Sequence, residues 1–214
     1  HGYTSKAKHM AGFVNKFYSL GYNVLAADAR AHGDSEGTKI GMGWPERFDV
    51  IEWIKLIISW EPNAQIILHG VSMGAATVLM ASGEELPENV KVIIADCGYT
   101  SEWDEFKCEA NALHIPWFPV LNAASVMSRL RDGYDFKQAS ALEQVKQSRI
   151  PTLFIHGSDD ELVPYSMLDK LYSAAACEKE CLTVNGAGHA LSSSVEPELY
   201  WNTVESFIEK YLEK

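Results

Sequence analysis

The sequence predicts an α/β fold, an open and mostly parallel sheet with helices on both faces. Three observations predict it. Short β-rich apolar runs ending in Gly or Asp recur along the chain, as expected of strands buried on both faces. Stretches with apolar residues three and four apart fill most of the intervals between them. One run breaks into a glycine-flanked serine and resumes as a string of small, helix-compatible residues, "ILHGVSMGAATVLM" at 67–80.

The expected strands are 22–28 (YNVLAAD), 64–70 (AQIILHG), 90–96 (VKVIIAD), 151–157 (PTLFIHG) and 180–186 (ECLTVNG). A helix is expected over 7–20, where Met10, Phe13, Phe17 and Leu20 share a face before Gly21. Pro45 suits the first turn of a second helix, with Phe48, Ile51, Ile54 and Ile58 at helical spacing. Further helices are expected over 73–82, 164–176 and 197–212, the last carrying Tyr200, Val204, Phe207, Ile208 and Tyr211. The order is αβαβαβ, an interruption at 97–150, then βαβα. That interruption is too long for a plain crossover, and its aromatic, proline-rich centre "HIPWFPVL" reads as a cap over the carboxyl ends of the strands. The expectation is one domain over 1–214 with this insertion.

Composition narrows the function. With 214 residues, 47% of them hydrophobic, the chain can bury one substantial core. A formal charge of -11 argues against nucleic acid, which needs clustered Lys and Arg. No apolar stretch reaches the ~18 residues of a membrane span and no signal-type segment opens the chain, so this fragment is expected to be soluble. Cysteine usage favours a reduced compartment, so a cytoplasmic location is the expectation, with a targeting or anchor segment upstream of His1 as the alternative. Cys97, Cys108, Cys177 and Cys181 follow neither a disulfide-dense nor a paired zinc-ligand pattern and read as reduced, packed thiols.

Gly70, Val71, Ser72, Met73 and Gly74 form GxSxG between a strand and a helix. That context makes a nucleophile elbow, where the glycines permit a tight turn and the serine oxygen projects from the sheet edge. A helix N-cap is the plainer use of such a serine. A serine hydroxyl needs a base and a group to orient that base. Among seven histidines, His189 sits in "VNGAGHALS", just past the last strand on a glycine-flexed loop, and is the candidate base. The preceding strand runs into "FIHGSDDELVP", where Asp160 is the candidate acid and adjacent Asp159 the alternative, carboxylates being favoured near helix starts for dipole reasons alone. The expected oxyanion donors are the Met73 N–H and, from "HGYTS", the Tyr3 N–H, although His1-Gly2-Tyr3 also reads as a tight turn. Tyr99, Trp103, Trp117, Phe118 and Leu121 are candidate substrate contacts, with packing within the cap as the alternative.

"HGYTS", "DARAHGDSEG", "GVSMGA", "HGSDDELVP" and "GAGHA" together resemble an α/β-hydrolase of the serine hydrolase type, near bacterial serine aminopeptidases and prolyl-oligopeptidase-like esterases. The five motifs span residues 1 to 190 in family order. The resemblance implies an eight-stranded fold with a cap after the sixth strand, no metal and no organic cofactor. It also implies that "DARAHGDSEG" is a structural turn, with Ser35 inert. The family places one more strand between 22–28 and 64–70, leading into "HG", and no segment here supplies it. Upstream residues are therefore expected in the native protein. The expected activity is hydrolysis of small to medium acyl or aryl esters through Ser72. A peptidase, a thioesterase or acyltransferase, or a ligand-binding relative would keep the same fold.

Overall fold

A computed structural model describes residues 1–212. Four strands, β1 (Ile66–Val71), β2 (Val90–Asp96), β3 (Thr152–Gly157) and β4 (Lys179–Val184), form one parallel sheet in the order β1-β2-β3-β4. The helices are α1 (Ala11–Ser19), α2 (Glu46–Trp60), α3 (Met73–Ala81), α4 (Glu102–Ala112), α5 (Trp117–Asp132), α6 (Ala141–Val145), α7 (Ser166–Ala174), α8 (Ser192–Val195) and α9 (Pro197–Glu209).

Alternation along the strands builds two cores. Ile93, Ala95 and Phe154 face one side and pack with α3, α6 and α7. Val92, Ile94, Leu153, Ile155, Leu182 and Val184 face the other and pack with Tyr200, Val204, Phe207 and Ile208 of α9. Period-two residues thus feed both faces, as a sheet covered on each side requires. Helix α3 is apolar all round because it is buried all round; from Met73 to Ala81, only Gly74 escapes the buried class.

Register brings the functional loops together. Val71 pairs with Asp96, Asp96 with Ile155, and Gly157 with Val184, so the four strands end at one edge. The loops leaving that edge carry Ser72, Cys97, Asp160 and His189, as expected for ligand sites in open α/β sheets.

Two expectations are corrected. Residues 22–28 form no strand, and among the described residues no ladder joins them to β1. A strand is made by its hydrogen-bonding partner and not by its pattern alone; here a cleft of about 1390 Å³ runs between this segment and Ile66 to His69 of β1. Val24 and Leu25 are consequently 38% and 40% exposed. Second, the 97–150 stretch is not all roof. It rises as α4 and α5, capped at the start by Ser101 Oγ accepting from Asp104 N–H at 3.1 Å, and then returns. Ala139, Ala141 and Val145 are fully buried, with Ala141 and Val145 in the α3 core.

Candidate active site

Ser72 occupies the turn between β1 and α3 with φ 57° and ψ -117°, a conformation rare for a residue with a side chain. Crossing of strand and helix explains why glycine flanks it. A Cβ on Gly70 would lie 2.2 Å from the Gly74 carbonyl oxygen, and one on Gly74 would lie 2.9 Å from the His1 backbone. The elbow is held from below by Ser72 N–H donating to the Asp96 carbonyl at 2.8 Å.

Ser72 Oγ lies 2.8 Å from His189 Nε2, and His189 Nδ1 lies 2.8 Å from Asp160 Oδ2. The spacing fits one tautomer, in which Nδ1–H donates to the carboxylate and Nε2 accepts from the serine hydroxyl. Asp160 Oδ1 accepts from Leu162 N–H at 3.0 Å and Val163 N–H at 2.9 Å. Its side chain is fully buried, and burial alone would raise its pKa. Hydrogen bonds with His156 and His189 and the Val163 N–H outweigh that and hold the carboxyl well below the usual range.

His156, another of the seven histidines, precedes Gly157 at the end of β3. It is buried, donates Nε2–H to the Val163 carbonyl at 2.9 Å, and stands 3.3 Å from Asp160 Oδ2. It braces the same carboxylate oxygen that His189 contacts. The available signal was its i,i+4 spacing to Asp160 across a glycine turn. The sequence also gave no sign that Asp96 and Cys97 stand behind the site. Asp96 is fully buried, both oxygens lack a hydrogen-bond partner, and burial pushes its pKa from 3.8 to about 7. The Tyr200 hydroxyl, 3.3 Å from His69 Nε2, lies close enough to pull that value partly back.

Cys97, at φ 50°, presents a buried thiol whose pKa burial raises further. Its sulfur and donor atoms of Asp160 and His189 all lie within 4.8 Å of one another. Among the described residues this is the one group compact enough to share a metal ion. Two of its three members, Asp160 and His189, are hydrogen-bonded to each other.

The backbone of the "HGYTS" segment borders the serine. A Cβ on Gly2 would lie 3.4 Å from Ser72 Cβ and 3.7 Å from Oγ, and Ser5 N–H closes a turn onto the Gly2 carbonyl at 3.1 Å. The segment is thus a tight turn placed against the elbow. Met73 N–H, at the first position of α3, has no carbonyl four residues back within its helix. In "DARAHGDSEG", Asp28 accepts from Ala7 N–H and Asp34 N–H at 2.7 and 2.9 Å, and Ser35 Oγ donates to the Asp28 carbonyl at 2.7 Å. These polar groups hold a turn together.

The aromatic candidates fall elsewhere. Tyr99 does not edge the site: it is 1% exposed and its hydroxyl donates to the Met42 carbonyl at 2.9 Å. Trp117 and Leu121 line a cavity of about 230 Å³ inside the cap with Phe106, Ile115 and Phe136. Trp103 packs edge-on to Trp117 at 6.4 Å, and Phe118 turns outward at 66% exposure. Trp103 and Trp117 serve the cap's own packing, whereas Phe118 does not.

Comparison with known proteins settles the family. A family model described as serine aminopeptidase, S33, matches residues 1–140. The chain belongs to that family. YqkD of Bacillus subtilis is 30% identical over 211 residues, 98% of this chain and 69% of that one. Lysophosphatidylserine lipase ABHD12 of Macaca fascicularis is 29% identical over 174 residues, 81% of this chain and 43% of that one. The chain thus spans about two thirds of one relative and less than half of the other. Esterase Pf2001 of Pyrococcus furiosus superposes with a TM-score of 0.80 at 25% identity, covering 100% of this chain and 81% of that one. The fold is that of the α/β-hydrolases, and this S33 family member is a serine hydrolase.

Proposed function

We propose that the protein hydrolyses carboxylic esters of small to medium acyl or aryl groups through an acyl-enzyme on Ser72. The observation that carries this reading is the unbroken chain from Ser72 Oγ through His189 to Asp160, both links 2.8 Å long, with the serine on a strained turn. His189 Nε2 takes the hydroxyl proton as Oγ attacks the ester carbonyl carbon. The resulting oxyanion is met by the Met73 N–H and by the backbone of the 1–3 turn, with the Tyr3 N–H as second donor. His189 then returns the proton to the departing alkoxide, which leaves as the alcohol. Water attacks the acyl-serine, gives a proton to His189, and the carboxylic acid is released as Ser72 Oγ is reprotonated. Asp160 keeps its negative charge throughout and stabilises the imidazolium.

Likeness to the Pf2001 esterase and the ABHD12 lipase favours an ester, whereas membership of a serine aminopeptidase family favours an amide. A fluorophosphonate probe should label the protein and leave Ser72→Ala unlabelled; equal labelling of both removes Ser72 as nucleophile. Ser72→Ala should also lose roughly 10^5- to 10^6-fold in ester turnover. Measured beside p-nitrophenyl esters of rising chain length, aminoacyl p-nitroanilides turned over faster than every ester would replace the esterase reading with the aminopeptidase one.

A further inference from the structure

Two runs of nineteen or more residues in this chain contain no Asp, Glu, Lys or Arg: 62–83 and 110–128. The first is β1, the serine turn and α3, and its lack of charge follows from burial at the centre of the fold. The second has no such reason. It lies on the cap, and from 111 to 120 every residue except Trp117 is in the exposed class.

Within it, α5 is built inside out. Its buried positions are Leu121, Ser125 and Ser128. The two serines are spent on the chain that returns beneath, Ser125 Oγ accepting from Phe136 N–H at 3.1 Å and Ser128 Oγ donating to the Tyr134 carbonyl at 2.9 Å. The outward face instead carries Val120, which also borders the cap cavity, with Met127 and Leu130; they are 60%, 59% and 78% exposed and spaced seven and three apart. Val126 at 57% flanks them, and Leu113, Ile115 and Phe118 extend the surface at the tip. Scattered exposed apolar residues are ordinary, but apolar residues grouped along one face of a helix that hides its serines mark an interaction surface.

The charges around this face select its partner. From 110 to 131, between Glu109 and Asp132, there is no carboxylate, in a chain with 29 of them, while exposed Arg129 and Arg131 close the run, Arg129 standing 3.7 Å from Asp135 in a loose, solvent-exposed pair that a phosphate can replace. Lys107 holds its ammonium 4.7 Å from the centre of the Trp117 ring. Apolar side chains in the middle, an indole at half-depth and cations at the margin match a phospholipid surface, where acyl chains lie beneath phosphates. We infer that the outward face of α5 and the 113–120 tip dock onto a phospholipid bilayer, inserting apolar side chains between headgroups and setting Lys107, Arg129 and Arg131 against phosphates.

Co-sedimentation with vesicles of phosphatidylcholine, alone and mixed with phosphatidylglycerol, tests this surface. The protein should pellet with both, more strongly with the mixture. Val120→Asp/Leu130→Asp should weaken partitioning about tenfold or more, since each change removes a full apolar side chain from the interface. Both positions are exposed, and an unchanged circular dichroism spectrum and melting temperature would show that the variant folds. Ser72→Ala should pellet like the unaltered protein, which keeps docking separate from the hydrolase reading. The inference is overturned if the protein stays in the supernatant at every lipid concentration, or if the double variant pellets equally well. It is also overturned if sedimentation velocity shows a dimer that the double substitution dissolves while vesicles bind neither form, since a second copy would then own the face.

Discussion

Two buried carboxyls stand at the ends of neighbouring strands and behave in opposite ways. Asp160, in the loop after β3, receives two backbone N–H groups and two histidines, and its pKa is driven down. Asp96, the last residue of β2, has neither oxygen hydrogen-bonded and rises to about 7. Burial opposes ionisation at both. What separates them is local chain geometry: the loop at 157–163 curls its own amides around a carboxylate, whereas β2 spends its amides on strand pairing and offers Asp96 none. One site therefore keeps a permanent negative charge for an imidazolium to lean on. The other holds a group that favours its proton.

The sharpest way to break this contrast is Asp160→Asn. It should cost about 10^3- to 10^4-fold in ester turnover, because an amide cannot hold His189 in the required tautomer or balance its charge. Asp96→Asn should change turnover by less than about fivefold; a loss comparable to that of Asp160→Asn would make Asp96 part of the working site.

Stability against pH should reveal the difference next. Glu102 and Glu105 share the condition of Asp96, each raised to about 8 chiefly by burial. A carboxyl whose folded pKa is raised loses nothing while both states are protonated. It then costs stability as pH climbs past the unfolded value, until the folded group ionises too. The three together should make the protein less stable at about pH 8 than at about pH 5, read as a falling melting temperature. Asp96→Asn should remove part of that fall, raising the melting temperature near pH 8 relative to the unaltered protein and leaving it unchanged near pH 4. Asp160 works with the other sign, its contribution present above the usual carboxylate range and lost as pH drops below it. The smallest effect should come from Tyr200→Phe. Removing the hydroxyl that restrains Asp96 should steepen the pH-dependent loss and cost on the order of 1 kcal/mol overall.

Much of this was legible in local patterns. Strands β1 to β4 and helices α2, α3, α7 and α9 follow from periodicity and turn residues, which depend only on neighbours along the chain. Ser72, Asp160 and His189 could be named because each sits in a short motif at a strand end, and the structure brings the three into hydrogen-bonding distance. The failures share a cause. Residues 22–28 carry a strand pattern without an adjoining strand, Tyr99 carries a site-like position with a buried hydroxyl, and the cap aromatics face one another. In each case a pattern was right about the side chain's character and silent about what stood opposite.

The sequence by itself determined which atoms could do chemistry here: a serine forced into a glycine-flanked bend, an imidazole on a flexible loop, a carboxylate beside a helix start. Only the tertiary structure decided what state those groups and their neighbours occupy. It turned His156 onto Asp160, left both Asp96 oxygens without a hydrogen-bond partner, and set Ser125 and Ser128 of α5 inward with Val120, Val126 and Leu130 outward. Chemical identity is fixed residue by residue. Protonation and exposure depend on solvent access and on the dipoles that chain crossing brings within a few ångströms, which no single stretch of sequence contains.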